Sequence, residues 1–266
     1  MRISIVTISF NQAKYLRECI NSVLEQDHED VELIVVDPGS TDGSRELIET
    51  FRNRLIAVLE PDGGPADGLN KGFALATGDV FGFVNSDDAL LPGALLCVAR
   101  HFASKPDCGV VAGCGYFVDA DGRQLRRVVS SRFTPWLYAH GAVSLFQPGT
   151  FFRARSFRRV GGFNAANGTC WDGELFLDMA ASGSRFATVS DDLGLFRLHD
   201  GSITGTGRLN EQFRKDCDRL FAKVTGRERG SQDWALDKIA RIMKYGSDPL
   251  YLVRRLSPHS NKASRR

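Results

Sequence analysis

Apolar residues follow two rhythms along this chain. In the first hundred residues, largely apolar, β-branched runs at 2–9, 31–37, 55–60 and 80–84 read as strands buried on both faces. Between them the apolar spacing lengthens to three and four. Leu16, Cys19, Ile20, Val23 and Leu24 form one helical stripe, with Asn11 as its expected N-cap. A second helix follows at 40–51, capped by Thr41 or Asp42, with Glu46 in its first turn. A third spans 65–78 and stops at Gly78. A fourth enters through Pro92, a residue the first helical turn tolerates, and runs to 104. Strands alternating with helices predict right-handed βαβ units and a parallel sheet covered on both faces.

After residue 108 the pattern changes. Two strands joined by a turn at Asp121-Gly122 come first, then a strand and loop and a short helix ending at Gly161-Gly162. A helix is expected at 172–183, with Leu175, Met179 and Ala180 on one face, followed by strands at 185–190 and 193–199. From about Arg208 the chain reads as amphipathic helix, and 254–266 as a polar, basic, disordered tail.

In an open parallel sheet, ligands bind outside the carboxyl ends of the strands. The polar residues that follow strands one to four are therefore expected to converge. They are Ser9 and Asn11, Asp37, Asp62, and the cluster Asn85-Ser86-Asp87-Asp88. The cluster has two readings. Asp87 or Asp88 can cap the helix that enters through Pro92. Alternatively, the carboxylates can hold Mg²⁺ or Mn²⁺ together with substrate phosphates, because magnesium takes only one or two protein carboxylates when phosphate and water complete its shell. Lys71 lies in a Gly- and Asp-rich stretch, 60–72, and offers a point charge to a phosphate.

Composition narrows these readings. With 34 basic and 32 acidic residues the net charge is +2, so no global field points to nucleic acid. The six cysteines form no C-x-x-C pair and read as reduced thiols of a cytoplasmic protein. No stretch reaches the roughly 20 apolar residues that span a bilayer. Neither a P-loop nor a G-x-G-x-x-G fingerprint occurs.

Read in order, the segments "SIVTISFNQAKYLRECINSVLEQ", "VELIVVDPGSTDGS", "EPDGGPADGLNKGFALATGDVFGFVNSDD", "QPGTFFRARSFRRVGGFN", "WDGELFLDMAASG" and "FRLHDGSIT" resemble the inverting family 2 glycosyltransferases. The resemblance spans about residues 3 to 205. It implies an α/β, GT-A fold: a nucleotide-sugar-binding parallel βαβ half at 1–108, a mixed-sheet acceptor and catalytic-base half at 109–205, and a helical extension at 206–253. It implies transfer from a nucleoside-diphosphate sugar, UDP-linked, to an acceptor hydroxyl in glycan or polysaccharide synthesis.

The resemblance also implies roles. Thr7, Ser9, Asn11 and Asp37 match the nucleoside pocket, and Asp62 and Lys71 flank the nucleotide. Asn85-Ser86-Asp87 falls on the D-x-D motif, with Asp87 as metal ligand, Asp88 a further candidate, and His199 completing the Mn²⁺ or Mg²⁺ site. Gln147, Pro148, Gly149, Thr150 and Trp171 match a loop beside donor sugar and acceptor. Asp172 falls on the catalytic base, with Glu174 as the alternative. Three positions depart from the family pattern: Asn85 replaces the first Asp of D-x-D, Pro38 stands where a second Asp is common, and Trp171 replaces the Glu of the E-D pair. No Q-x-x-R-W motif occurs, so single transfers are expected rather than polymerisation. The acceptor is a glycan, a lipid-linked glycan or a small molecule. A nucleotide-sugar-binding protein without transfer and a sugar nucleotidyltransferase are the competing readings. The tail basics Arg254, Arg255, Lys262, Arg265 and Arg266 offer weak peripheral contact with an anionic inner membrane face, at about 1 kcal/mol per residue near the surface.

Overall fold

The computed structural model describes residues 1–201 and 209–256. Four strands form the expected parallel unit: β1 (Ile3–Ile8), β2 (Val31–Val36), β3 (Ile56–Val58) and β4 (Val80–Phe83), in the order β3-β2-β1-β4. β1 pairs with β2 from Ile3↔Val31 to Ile8↔Val36. Their apolar runs lack polar alternation because both faces are packed. Ile3, Ile5, Leu33 and Val35 face α1 (Ala13–Leu24) and α4 (Ala94–Ser104), meeting Leu16, Ile20, Leu95 and Val98. Val6, Ile34 and Val36 face α3 (Pro65–Leu75), meeting Leu69 and Phe73. α3 lies so close to the sheet that a Cβ on Gly72 would fall 2.4 Å from Val6 Cγ1. α2 (Ser44–Glu49) closes the unit.

Beyond β4 the sheet becomes mixed. β8 (Thr150–Arg153) runs antiparallel to both β4 and β6 (Cys108–Val118); β6 pairs in parallel with β9 (Arg185–Arg197) and antiparallel with β7 (Gln124–Val128). A two-residue strand, β5 (Ala89–Leu90), pairs with β9 at the far edge. The helices α5 (Pro135–Ala139), α6 (Ala154–Val160) and α7 (Trp171–Ala181) precede α8 (Asn210–Thr225), α9 (Asp233–Ser247) and α10 (Leu250–Leu256) among the described residues.

Several local expectations are corrected. The strands expected at 185–190 and 193–199 are one strand, β9. Its polar interruption is satisfied from outside: Tyr116 Oη and Arg127 Nε donate to Asp192 at 2.9 and 2.7 Å. Asn11 does not cap α1. It takes a left-handed φ of 53°, and its Oδ1 accepts from Thr41 N, at 2.9 Å. The α1 terminus is served instead by Asp42, whose Oδ2 accepts from Ala13 N at 2.9 Å. Gly43, at φ 96°, is the N-cap of α2 in place of Thr41 or Asp42. α3 ends at Leu75, before Gly78, and Pro92 precedes the N-cap Gly93 of α4.

Arg254 and Arg255, counted with the tail from the sequence, lie in α10. Arg254 Nη1 donates to Thr188 Oγ1 on β9, and its guanidinium also pairs with Asp248. Lys262, Arg265 and Arg266 lie outside the described residues, as does the boundary expected near 205. No helix among the described residues is long and apolar enough to cross a membrane.

Candidate active site

The polar cluster begins where β4 runs out. Val84 N donates to Val6 O, and Ser86 N donates to Ile8 O at 3.2 Å, so the cluster lies beside the carboxyl end of β1. Asp87 is the carboxylate that remains available. Its side chain is 17% exposed, and its Oδ2 lies 3.1 Å from His199 Nε2. Gly201 N donates to His199 Nδ1 at 3.2 Å, which places the ring proton on Nε2, facing Asp87.

Asp88 is not available as a ligand, contrary to its candidacy in the sequence. It is 2% exposed; its Oδ1 accepts from Arg197 N at 2.9 Å and its Oδ2 from Asn85 Nδ2 at 3.3 Å. Burial, and then the neighbouring Asp87 charge, push its carboxyl well above the ordinary value. Asp88 therefore anchors the end of β9.

Arg197 is the residue the motif reading missed. It is 2% exposed, and its Nε donates to Asp87 O at 2.9 Å while Nη2 pairs with Glu18 at 2.7 Å. Its guanidinium also lies 4.8 Å from the Tyr15 ring centroid, and that ring is 4.9 Å from His199. An arginine inside the apolar run "LGLFRLH" was the available signal, because a buried guanidinium must be paired. It fixes the backbone carrying Asp87 from the strand that leads to His199.

Asn85 faces inward. Its Nδ2 also donates to Gln147 Oε1 at 3.2 Å, and Gln147 Nε2 donates to Phe83 O at 2.8 Å. Asn85 Oδ1 is buried with no partner, and so is Ser9 Oγ. Both orphaned oxygens stand at strand ends, where a ligand's hydroxyl or amide could satisfy them. Ser86 is buried beside them.

Other expected contacts are spent within the protein. Thr7 is fully buried against Cys19 Sγ, beneath the strand end rather than lining a pocket. Asp37 is also fully buried; its carboxylate accepts from Gly39 N, Ser40 N, Ser40 Oγ and Arg45 Nε, so it builds the 38–41 turn. Asp62 accepts from Gly64 N at the start of α3. Lys71 donates to Pro61 O and pairs with Asp67 at 3.6 Å, turned back onto the loop. Pro148, Gly149 and Thr150 are buried, and the Thr150 hydroxyl donates to Phe146 O. Of that expected loop, Gln147 and Trp171 meet the β4 end.

Trp171 links the second half of the site. Its ring lies 5.4 Å from Phe83 and 5.6 Å from Phe163, which brings the α7 N-terminus to the end of β4. Asp172 follows in the first turn. Its Oδ1 accepts from Gly173 N at 2.7 Å, and burial raises its carboxyl above the ordinary range despite that bond. Glu174 sits opposite in character. Arg219 donates to both of its oxygens at 2.8 and 2.7 Å, and Lys223, Asn164 and Asn167 donate as well. Burial alone would raise Glu174, yet Arg219, Lys223 and Asn167 hold it down to about 2. A carboxylate so engaged is a poor proton acceptor, and the alternative base of the sequence reading is a structural anchor for α8.

Likeness to known proteins bears on this arrangement. A family model described as glycosyl transferase family 2 matches residues 4–163, more than half of the chain. The glycosyltransferase GlyG of Streptococcus pneumoniae is 29% identical over 244 residues, covering 83% of this chain and 78% of that protein. Staphylococcus aureus TarS 1–349, solved with UDP-GlcNAc, superposes with a TM-score of 0.68 at 19% identity, over 93% of this chain and 73% of that one. The mannosyltransferase PcManGT of Pyrobaculum calidifontis, solved with GDP-Man and Mn²⁺, gives 0.64 at 19%, over 96% and 72%. The fold is therefore GT-A, and the protein is a glycosyltransferase belonging to family 2.

Proposed function

We propose that the chain moves a sugar from a UDP-linked donor to an acceptor hydroxyl of a glycan or polysaccharide, in one displacement that inverts the anomeric centre. The observation that carries this reading is the Asp87–His199 pair, 3.1 Å apart at the carboxyl end of β4, with Asp172 brought to the same strand end by Trp171. The orphaned Ser9 Oγ and Asn85 Oδ1 supply acceptors for donor hydroxyls.

The donor set fits a divalent cation. One carboxylate and one imidazole, with diphosphate oxygens completing the shell, suit Mn²⁺ better than Mg²⁺, which prefers oxygen alone. When bound, such an ion supplies charge neutralisation to the leaving diphosphate. Ligation through His199 Nε2 requires the proton on Nδ1, so it displaces the hydrogen bond from Gly201 N.

Asp172 accepts the proton of the acceptor hydroxyl as that oxygen bonds to the anomeric carbon. The bond from the anomeric carbon to the phosphate oxygen breaks, and its electron pair leaves with the nucleoside diphosphate. General-base assistance of this kind is worth about 10² to 10⁴ in rate. Arg197 holds the Asp87 backbone, and Trp171, packed on Phe83, holds the first turn of α7 that carries the base.

A panel of nucleotide sugars assayed for nucleoside diphosphate release, with Mn²⁺ and with EDTA, tests the reading. UDP-sugar turnover lost in chelator, lost in Asp87→Ala, and giving an inverted product by NMR is the expected result. Undiminished turnover in EDTA removes the cation; a retained anomeric configuration removes the single displacement.

A further inference from the structure

A second group of metal-type donors lies away from this site, between α4 and β9. Cys97 and His101 are four residues apart on α4 and so share one face of the helix. That face meets Asp191, at the middle of β9. His101 Nε2 lies 3.1 Å from Asp191 Oδ2, and the ligand atoms of Cys97, His101 and Asp191 all fall within 4.8 Å of one another. Tetrahedral zinc with sulfur at 2.3 Å and nitrogen and oxygen near 2.0–2.1 Å sets its ligands about 3.3–3.6 Å apart. The group is thus within a side-chain rotation of closing on an ion.

We propose that Cys97, His101 and Asp191 form a Zn²⁺ site, with water in the fourth position. The donors are a thiolate, an imidazole and a carboxylate, the set that selects zinc over magnesium or calcium. Cys97 and His101 are half-buried and Asp191 is exposed, so the ion can enter from solvent along the Asp191 side. Cys97 ligates as its thiolate, so the thiol proton leaves to solvent as the ion binds. Bound zinc clips α4, which follows the Asp87-bearing loop, to β9, which carries Arg197 and leads to His199. It is independent of the transfer site, whose donors include no sulfur.

Cobalt substitution tests this directly, because only a thiolate ligand gives a sulfur-to-cobalt charge-transfer band. Titrating the purified full chain with Co²⁺ is expected to produce that band at one ion per chain. Cys97→Ala abolishes it, Cys170→Ala keeps it, and His101→Ala and Asp191→Asn each weaken Co²⁺ binding at least tenfold. Zn²⁺ at a hundredfold excess over its Kd raises the melting temperature by about 5 °C in wild type and not in Cys97→Ala. Turnover by Cys97→Ala stays at the wild-type level. No thiolate band in wild type, or an equal band in Cys97→Ala, overturns the proposal; should Cys97→Ala fail to fold, unchanged Co²⁺ affinity in both His101→Ala and Asp191→Asn does the same.

Discussion

Replacing Glu174 by glutamine separates anchor from catalyst. The carboxyl is 3% exposed and bound by Arg219, Lys223, Asn164 and Asn167. An ordinary glutamate titrates at 4.5, and here the value is about 2. At 1.36 kcal/mol per pH unit the difference corresponds to about 3 kcal/mol of folding stability. The Arg219 and Lys223 side chains are 42% and 40% exposed, so solvent screening trims this to about 2 kcal/mol. The shift is downward, so the contribution is complete above the unfolded value near 4.5 and is lost as pH falls toward 2. Urea melts at pH 7 should show Glu174→Gln less stable than wild type by about 2 kcal/mol, and the gap should shrink to less than half at pH 3. At pH 7 and low temperature, where the variant is folded, kcat should stay within about threefold of wild type, far from the loss of about 10² to 10⁴ that a missing base entails. A stability gap equal at pH 7 and pH 3 would refute the ion-pair account. A kcat loss of hundredfold in the folded variant would return the base to Glu174.

Two further substitutions address the transfer site. Asp172→Asn should lower kcat by about 10² to 10⁴ with donor Kd unchanged; because burial raises the Asp172 carboxyl, the acid limb of the wild-type pH–rate profile should lie above the ordinary aspartate value of 3.8, activity falling as pH drops through it, and a limb at or below that value would contradict the assignment. Asn85→Asp restores the family's D-x-D but puts an oxygen where Nδ2 donates to Gln147 Oε1 and Asp88 Oδ2, so it should destabilise by about 1–3 kcal/mol without tightening Mn²⁺ binding, as thermal melts and Mn²⁺ titration would show; tighter Mn²⁺ at unchanged melting temperature would refute this.

The parallel half was legible because its strands are packed on both faces, and a run such as "VELIVV", apolar but for Glu32, is the pattern such a strand carries. What failed to read was whatever depended on distant partners. The Asp191-Asp192 interruption looked like a strand break because its partners come from elsewhere: Tyr116 of β6 and Arg127 of β7 donate to Asp192, and His101 of α4 meets Asp191. β5 is two residues long and exists only through its pairing with β9. The helix caps misread for the same reason: Asp42 Oδ2 serves the terminus of α1, 29 positions away, while its Oδ1 accepts from Ser44 at the start of α2.

The site shows the same division more sharply. Which carboxylate is free cannot be read from which carboxylates are near. Asp87 and Asp88 are adjacent in sequence, yet one faces His199 and the other is consumed by Arg197 N and Asn85. Asp172 and Glu174 are two residues apart, and the helical turn sends Glu174 into Arg219 and Lys223, residues of a helix beyond the stretch that carries the family resemblance. Asn85, the neutral substitute in the D-x-D, explains itself through the same logic. Its amide must donate to two acceptors, Gln147 Oε1 and Asp88 Oδ2, to hold the loop that presents Asp87. An aspartate there would have no proton to give either of them at neutral pH. The departure from the family pattern thus moves position 85 from holding charge to positioning the residue that does.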